Sequence, residues 1–276
     1  MRNILLAVLG ATVLMAPIAA QATPEQDRQE LQDFYKSKFP QLKAADYVDG
    51  ALALDADAKA QYDSIMDFPP YGSDMEKSKK MWEAPFKNGQ TYASCLPNGG
   101  KNVAGNYPRF DDKQGKVVTF EMELNACREK NGETPLDYSD MKTMGLLTAY
   151  ARTLSDGMPM NVKVEGPGAT AAYEEGKKQF YGRRGQLNFA CATCHVQNGG
   201  NRIRSEILSP ALGQSTHWPA FRGGDSVTSL QARYAQCNKN IRAVPFKPGS
   251  EEYNNLEYFH SYISNGLPLQ SSVYRK

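Results

Sequence analysis

The chain has 276 residues, of which 41% are hydrophobic and 22% are charged, and its mean hydropathy is −0.57. This composition excludes a disordered polar tail and a protein with several membrane spans, and the length predicts one or two domains with real cores. The net charge of +2 argues against nucleic-acid binding through bulk charge. Residues 161–276 nevertheless hold 14 Lys and Arg against 8 Asp and Glu, so this half is expected to meet anions or acidic partners.

Residues 1–22 have the pattern of a signal peptide. A short basic start, Met1-Arg2-Asn3, precedes an apolar run, and Ala20-Gln21-Ala22 fits the small-x-small cleavage rule. The run is short for a membrane span and is interrupted by a glycine and a proline. We therefore expect export to the periplasm and a mature chain that begins near Thr23. Cysteines can pair in that oxidising compartment, where c-type haem is also attached. No later stretch is long and apolar enough to span a membrane.

Several helices are predicted around the two halves of the chain. Residues 23–63 form an N-terminal arm whose Gln, Glu, Asp and Lys content indicates helices with an exposed face. Residues 142–154 and 251–263 each have the pattern of a helix that ends near a Ser-x-Gly sequence. Between them, Gly166-Pro167-Gly168 is expected to break any helix, so the domain boundary is placed within residues 161–170.

Four short segments of the first half recur in the same order in the second half. The pairs are Gly89-Gln90-x4-Cys95 with Gly185-Gln186-x4-Cys191, Asn98-Gly99-Gly100 with Asn198-Gly199-Gly200, Val118-Thr119 before Cys127 with Val227-Thr228 before Cys237, and Ser155-x-Gly157-x-Pro159 with Ser264-x-Gly266-x-Pro268. We interpret the chain as a mainly α protein with two cytochrome c-like domains in tandem, at residues 23–160 and 161–276. A gap in the first copy removes the second cysteine and the histidine of the motif described next, so that copy is expected to lack haem.

The most specific motif is Cys191-Ala192-Thr193-Cys194-His195, the C-x-x-C-H signature of c-type haem attachment. Its two thiols can form thioethers to one porphyrin, and the adjacent histidine is then held below the iron as an axial ligand. A zinc site would need further soft ligands, usually a second cysteine pair. A thioredoxin-like redox pair should lie in a βαβ pattern. The preceding stretch, residues 171–187, is predicted instead to be a charged helix ending at Gly185, and the exported context favours haem.

The second axial ligand is not expected to be a downstream methionine. All ten methionines lie at or before Met160, so none follows His195. The remaining downstream candidates are Cys237, His217, His260 and a lysine. The helical pattern around His260 is more typical of a half-buried or surface histidine, and His217 lies in a turn-like stretch.

The repeat suggests roles for the other three cysteines. In a haem domain, the positions of Cys95 and Cys127 would face each other across the cofactor, so without haem they can close as a disulfide. That pairing leaves Cys237 as an odd cysteine in an exported protein, at a position whose counterpart faces the cofactor. We therefore favour the Cys237 sulfur as the second axial ligand, and a buried inert thiol is the alternative.

The residues before Cys237 suit anion chemistry. Leu230, Tyr234 and Cys237 follow one face of a short predicted helix. Arg233 lies one turn before Cys237, where a guanidinium favours the thiolate and can hold an oxyanion. The first copy has Glu123 at the equivalent spacing, which would repel an anion. An arginine that faces solvent or pairs with a haem propionate is the alternative.

The second half contains four recognisable motifs: C-A-T-C-H, Leu208-Ser209-Pro210-Ala211-Leu212, His217-Trp218-Pro219 and Arg233-x-x-x-Cys237-Asn238. Together they resemble the SoxA family, the larger subunits of the SoxAX cytochromes of periplasmic sulfur oxidation. The resemblance covers nearly the whole mature chain. Some members of the family carry two haems, and this chain lacks the first C-x-x-C-H, so it resembles the single-haem type.

The resemblance implies an L-cysteine S-thiosulfotransferase that works with a SoxX-like small subunit. Such an enzyme joins thiosulfate oxidatively to a cysteine of the carrier SoxYZ, and the electrons pass through c-type haem to cytochrome c. By position, Cys191 and Cys194 would hold one haem c covalently, and His195 and Cys237 would be its axial ligands. Cys237 would also be the catalytic cysteine, modified to a persulfide, and Arg233 would bind the substrate.

Other functions fit parts of the pattern. A plain electron-transfer cytochrome c would use a nitrogen or methionine ligand and would not depend on Cys237. A thiosulfate dehydrogenase forming tetrathionate also pairs haem with cysteine, but such enzymes normally carry two haems. The haem-less half, roughly residues 23–160, is expected to serve as a docking scaffold for the partner subunit.

Overall fold

A computed structural model describes residues 22–223 and 226–275. The predicted signal peptide lies outside the described residues, apart from its last position. The described part is mainly helical, as predicted, and contains no helix that is long and apolar enough to cross a membrane. Its α-helices are α1 (Pro24–Lys38), α2 (Ala56–Asp67), α3 (Gly72–Glu83), α4 (Phe120–Lys130), α5 (Leu146–Thr153), α6 (Pro167–Tyr181), α7 (Leu230–Asn240) and α8 (Glu251–Tyr262).

Short strands, 3-10 helices and π-helical turns connect these helices. The strands β1 and β2, β3 and β4, and β5 and β6 form antiparallel hairpins, and β7 pairs in parallel with β5. The strands are β1 (Arg109–Asp111), β2 (Lys116–Val118), β3 (Arg202–Ile203), β4 (Glu206–Ile207), β5 (Ala220–Arg222), β6 (Ser226–Thr228) and β7 (Tyr274–Arg275). The 3-10 helices are Ala44–Leu54, Tyr92–Ser94, Pro97–Gly100, Ala104–Asn106 and Gln214–His217, and the π-helical turns are Met141–Gly145 and Thr193–Gln197.

Helix α6 corrects two predictions about the middle of the chain. Pro167 is its first residue, so the predicted helix break at Gly166-Pro167-Gly168 is wrong. Proline suits this position because its fixed φ matches the helix and the first turn needs no N–H donor. At Gly168, a Cβ would lie 2.7 Å from the Phe110 ring, so only glycine lets the ring approach so closely. The helix ends at Tyr181 rather than at Gly185.

The predicted N-terminal arm packs against the second half of the chain. Its helix α1 buries Asp27, Leu31 and Tyr35, which recur every four residues on one face. Asp27 forms an ion pair of 2.7 Å with Lys177 of α6 and accepts a hydrogen bond of 3.1 Å from the Tyr173 hydroxyl. The opposite face is exposed, as predicted, and the buried face fixes α1 to α6.

A hairpin followed by a capped helix occurs in both halves. In the first half, β1 and β2 precede Thr119, whose side chain caps α4 by accepting from the N–H of Met122. In the second half, β5 and β6 precede Ser229, which caps α7 in the same way through the N–H of Ala232. A cysteine lies eight residues after each cap, at Cys127 and at Cys237, so the order of elements follows the repeat in the sequence.

The two Ser-x-Gly-x-Pro loops occupy matching places and meet each other. The Ser155 hydroxyl accepts hydrogen bonds from two backbone N–H groups of the first half, and the Ser264 hydroxyl accepts one from the second half. Between the loops, the N–H of Met160 donates to Leu267, and that of Leu269 donates to Met158. One continuous hydrophobic core runs through both halves.

The structure contains a disulfide between Cys95 and Cys127, whose Cα atoms are 5.7 Å apart. Cys127 is 3% exposed and belongs to the hydrophobic core of the first half. The side-chain amide of Asn131 donates to the carbonyl oxygen of Cys127, one turn earlier in α4, and thereby holds the bridge against the end of that helix.

Candidate haem and active site

The attachment motif lies after α6 in a short helical segment that ends in a π-helical turn. Thr193 begins the π-helical turn Thr193–Gln197, and its hydroxyl accepts the N–H of Ala190 at 3.0 Å. This arrangement leaves Cys191 and Cys194 half-buried. Burial, together with the charges of Cys237 and Cys194, raises the pKa of the Cys191 thiol to about 12. The three cysteines that remain free of disulfides in the described residues therefore lie within electrostatic reach of one another.

The imidazole of His195 is held by its Nδ1 atom. Nδ1 lies 2.9 Å from the carbonyl oxygen of Ser209, which can only accept, so Nδ1 carries the proton. Nε2 is then the nitrogen whose lone pair can bind a metal. Gln214 places the end of its amide 2.7 Å from the same Nδ1 atom and 2.6 Å from the Ser209 hydroxyl. The His195 Nδ1–H and the Ser209 hydroxyl can both donate, so the atom of the Gln214 amide that faces them is better assigned as the oxygen, which accepts, than as the nitrogen. Burial lowers the pKa of His195, and the charge of Arg233 lowers it further.

Helix α1 fixes the backbone of the attachment segment from outside. The Tyr35 hydroxyl donates to the carbonyl oxygen of His195 at 2.6 Å. Lys38 donates to the next two carbonyl oxygens, those of Val196 at 3.1 Å and Gln197 at 3.0 Å. A lysine placed on the carbonyls at the end of a helical turn also opposes their partial negative charge. The N-terminal arm thus belongs to the structure of the site.

Helix α7 carries Cys237 on its half-buried face. Tyr234, three residues earlier, is 8% exposed, and the half-buried Arg233 lies one turn before Cys237. Arg233 donates to the side chain of Gln236 at 3.2 Å and lies within electrostatic reach of His195. On the neighbouring strand β5, burial lowers the pKa of Arg222, the charge of Arg233 lowers it further, and Cys237 opposes the shift. Two arginines therefore lie near the Cys237 sulfur.

The position equivalent to Arg233 in the first half has the opposite charge and a structural role. Glu123 on α4 pairs with Arg109 at 3.0 Å, and Arg109 also contacts Asp111 at 3.0 Å. A positively charged side chain at this helical position is therefore a feature of the second half.

The two other histidines occupy structural positions. His260 lies on α8 and is 2% exposed, and both of its ring nitrogens have partners. Nδ1 is 2.9 Å from the Tyr234 hydroxyl, and Nε2 is 3.2 Å from the carbonyl oxygen of Ala211. His217 is 5% exposed and packs beside Trp218, with 5.4 Å between the ring centroids. Burial lowers the pKa of both histidines, to about 3 for His260, so both rings are neutral.

The donor set fits a c-type haem better than a bare metal ion. One region contains the two thiols of the attachment motif, the imidazole of His195, oriented by its Nδ1–H bond, and the Cys237 sulfur. Within residues 22–223 and 226–275, no group of three or more His, Cys, Asp or Glu side chains gathers closely enough to hold a metal ion. These thiols and the imidazole therefore do not form a closed zinc-type site.

Together, the helical fold and this donor set define a c-type cytochrome. Residues 77–160 match the SoxA/TsdA cytochrome c domain family. The chain is 43% identical to the L-cysteine S-thiosulfotransferase subunit SoxA of Chlorobaculum tepidum, over 97% of this chain and 96% of that protein. It is 42% identical to the subunit of the same name from Allochromatium vinosum, over 98% of this chain and 96% of that protein.

The fold is also similar to that of a solved structure. The crystal structure of SoxXA from P. pantotrophus superimposes with a TM-score of 0.69 and 32% identity, over 78% of this chain and 84% of that chain. The chain belongs to the SoxA family of L-cysteine S-thiosulfotransferase subunits. The relatives favour this function over a plain electron carrier or a thiosulfate dehydrogenase.

The structure brings together the residues that the sequence singled out in the second half, Cys191, Cys194, His195, Arg233 and Cys237. It adds residues that no motif indicated. Nothing in the sequence pattern distinguishes Arg222 from the other basic residues of this half or marks Tyr35 as a contact of His195. The charge excess of the second half was the only related signal.

Proposed function

We propose that this chain holds one haem c, attached through thioethers to Cys191 and Cys194. His195 would bind the iron through Nε2, and the Cys237 sulfur would be the opposite axial ligand. The observation that carries this proposal is the C-x-x-C-H motif beside an imidazole whose Nδ1 is held by the carbonyl oxygen of Ser209, with the Cys237 sulfur in the same region. A thiolate ligand donates electron density to the iron and lowers its reduction potential, which suits a specialised site better than a general electron carrier.

The reaction assigned to the site is the oxidative conjugation of thiosulfate to a cysteine of a SoxYZ-like carrier. A sulfur–sulfur bond forms between the Cys237 sulfur, carried as a persulfide, and the outer sulfur of thiosulfate, and two electrons leave. The thiolate of the carrier cysteine then attacks the outer thiosulfate sulfur, takes the thiosulfonate group and releases the Cys237 sulfur. When bound, the haem accepts one electron at a time, so the second electron needs another acceptor.

Arg233 is assigned to the sulfonate end of thiosulfate. A guanidinium offers paired donors to oxyanions, and Arg233 stands one turn from the Cys237 sulfur. Arg222 on β5 adds a second positive charge near that sulfur. The charge of Arg233 contributes to the lowered pKa of Arg222, and a bound anion would relieve the repulsion between the two cations.

The partners follow from the same chemistry and from the family. A SoxX-like small cytochrome c subunit is proposed as the other half of a heterodimer and as the acceptor of the second electron, before transfer to a cytochrome c. The SoxXA complex of P. pantotrophus supports this pairing. With removal of residues 1–22 as a signal peptide, the complex would work in the periplasm, where haem c is attached.

The two halves are proposed to be tandem copies of one cytochrome c-like domain, at residues 23–160 and 161–276, and the first copy to lack haem. The recurring hairpin, capped helix and cysteine support this proposal. So does the match of a cytochrome c domain family to residues 77–160, which contain no C-x-x-C-H motif. The Cys95–Cys127 disulfide would then stand where the cofactor lies in the other copy.

Replacing the proposed catalytic sulfur tests the function directly. In the complex with the small subunit, Cys237→Ser should abolish thiosulfate conjugation to the carrier, while intact mass shows that the haem stays covalently attached. Lys239→Ala is a matched control, because Lys239 lies exposed on the same helix. Full turnover by Cys237→Ser would contradict the assigned role.

Product analysis with and without the carrier separates conjugation from tetrathionate formation. The proposal predicts no consumption of thiosulfate without the carrier and a carrier that gains the mass of a thiosulfonate group with it. Formation of tetrathionate at the same rate in both samples would support a thiosulfate dehydrogenase instead.

A further inference from the structure

A chain of buried hydrogen bonds connects helix α7 to the haem-attachment turn. It runs from the Tyr234 hydroxyl to His260 Nδ1 at 2.9 Å, and from His260 Nε2 to the carbonyl oxygen of Ala211 at 3.2 Å. It continues from the N–H of Ala211 to the Tyr35 hydroxyl at 2.9 Å, and from that hydroxyl to the carbonyl oxygen of His195 at 2.6 Å. Four elements that are distant in sequence therefore share one polar connection.

All the donors in this chain point in the same direction. The carbonyl oxygen of Ala211 can only accept, so His260 carries its proton on Nε2, and its Nδ1 accepts from Tyr234. The Tyr35 hydroxyl accepts from Ala211 and donates to His195. The carbonyl oxygen and the N–H of Ala211 belong to two different peptide groups, so the covalent backbone of Ala211 joins the two hydrogen-bonded segments of the chain. Tyr35 is 0% and His260 is 2% exposed, so water does not compete for these partners.

The two ends of this chain lie on the two segments that are proposed to hold the iron. Tyr234 precedes Cys237 by three residues on α7, and the last acceptor is the backbone carbonyl of His195 itself. The connection therefore runs between the proposed axial ligands through protein atoms alone. It fixes the position of one ligand-bearing segment relative to the other.

The first half shows what the same positions hold where no haem motif exists. The repeat aligns Tyr234 with Leu124 on α4 and His260 with Ala151 on α5. Both of these residues are apolar and 0% exposed, and they pack in the hydrophobic core. An apolar core is thus sufficient to pack this arrangement of helices. Buried polar groups cost free energy unless all of them are paired, so the polar chain of the second half requires another reason.

We propose that Tyr35, Tyr234 and His260 are positioning residues that set the spacing between the His195 and Cys237 segments and so keep the Cys237 sulfur on the iron. This inference rests on the proposed function, because it needs the haem with these two ligands. It assigns a role to His260 that differs from axial ligation, and it makes helix α1 part of the ligand geometry.

The test uses holoprotein variants that each remove one oxygen atom. Tyr35→Phe and Tyr234→Phe break the chain at its two ends, and the double variant breaks both. Tyr258→Phe is the matched control, because Tyr258 is also 0% exposed and its hydroxyl also donates to a backbone carbonyl, that of Lys163, outside the chain. The measurements are the electron paramagnetic resonance spectrum of the ferric haem and the rate at which added imidazole displaces the ligand on the Cys237 side.

In each single variant, the ligand on the Cys237 side is expected to be displaced about tenfold faster than in the wild type, and the spectrum of the ferric haem is expected to be broader. Tyr258→Phe should change neither the rate nor the spectrum. A tenfold change in rate corresponds to about 1.4 kcal/mol. Both substitutions break the same connection. The increase in displacement rate in the double variant is therefore expected to be smaller than the product of the two single increases, well under a hundredfold.

The proposal is overturned if the single variants have the same displacement rate and spectrum as Tyr258→Phe. It is also overturned if the rate increase in the double variant equals the product of the two single increases, because the two ends would then act independently. The wild-type spectrum separates this failure from failure of the proposed function. A wild-type haem without a sulfur ligand would contradict the proposed ligand pair, whereas a normal wild type with unaffected variants would contradict the positioning role alone.

Discussion

At the scale of single residues, the proposed chemistry depends on a cysteine and an arginine one turn apart on α7. The Cys237 sulfur lies within electrostatic reach of the attachment cysteines, and Arg233 within reach of His195. The equivalent glutamate of the first half, Glu123, is engaged in an ion pair with Arg109. The two halves thus differ in charge at one helical position, with an arginine in the half proposed to bind thiosulfate and a glutamate in the other.

Arg233→Ala is expected to lower kcat/KM for thiosulfate about ten- to hundredfold. A hydrogen bond to a charged group contributes about 1.5–3 kcal/mol, and about 1.4 kcal/mol corresponds to a factor of ten. Steady-state kinetics of carrier conjugation measures the effect, and Lys239→Ala, which removes an exposed charge from the same helix, should change kcat/KM less than about twofold. Equal effects of the two variants would show that Arg233 acts only through general charge.

At the scale of elements, the first half is closed by a covalent bridge, the disulfide between Cys95 and Cys127. Cys95 and Cys127 are 32 residues apart in sequence, and the closed loop limits the freedom of the unfolded chain. Removing both cysteines by substitution with Ala should reduce the free energy of unfolding by about 3–4 kcal/mol in the chain-entropy model. Urea unfolding followed by fluorescence suits this test, because Trp82 is buried in the first half and stacks on Tyr92 at 5.5 Å.

Added reductant provides the control for this prediction. It should destabilise the wild type towards the level of the double variant and leave the double variant unchanged, because thioethers to haem are not reduced by thiols. An unfolding midpoint that is the same in the wild type and in the double variant would refute a stabilising role for the bridge.

At the scale of the whole molecule, the two halves share a core that contains a buried carboxyl group. Glu257 on α8 is 6% exposed and accepts a hydrogen bond of 2.8 Å from Gln231 of α7. Burial and the charge of Glu121 from the first half raise its pKa to about 8 from an ordinary 4.5, and Arg152 of α5 opposes this shift. The carboxyl group is therefore neutral in the folded protein over much of the neutral range.

This raised pKa predicts a loss of stability as the pH increases. Below pH 4.5 the carboxyl group is protonated in both the folded and the unfolded state, so its ionisation does not reduce the free energy of unfolding. Between that pH and about 8 only the folded state keeps the proton, so the free energy of unfolding falls as the pH rises. Glu257→Gln removes this dependence, so the stability of the variant relative to the wild type should be about 3 kcal/mol greater at pH 8 than at pH 5.

Chemical denaturation at the two pH values measures this difference. Glu251→Gln, at the exposed start of the same helix, serves as the control and should leave the difference between the two pH values close to that of the wild type. A Glu257→Gln variant with the pH profile of the wild type would mean that Glu257 is ionised in the folded protein.

Local patterns in the sequence predicted much of the fold and of the site. Residues 142–154 and 251–263 are helical as expected, because their apolar spacing and end signals are local. The residues of the C-x-x-C-H motif and of the α7 face were found by spacing alone. The predicted break at residues 166–168 was wrong because proline in the first turn can begin a helix as well as end one.

Contacts between distant segments could not be predicted in this way. Tyr35 and His195 are 160 positions apart, and no periodicity of α1 indicates which carbonyl its tyrosine contacts. The pairing of Asp27 with Lys177 and the approach of Arg222 to Cys237 likewise depend on tertiary packing. These contacts depend on how the helices pack, which a single sequence does not specify.

The identity of the sixth iron ligand tests the central claim most directly. Electron paramagnetic resonance of the purified ferric protein, compared with Cys237→Ser, reports on that ligand. The wild type should give a low-spin signal typical of one imidazole and one sulfur anion, and the variant should lose it while keeping its covalent haem. A wild-type signal from two nitrogen ligands, unchanged in the variant, would contradict the assignment and leave the chain without its proposed reactive sulfur.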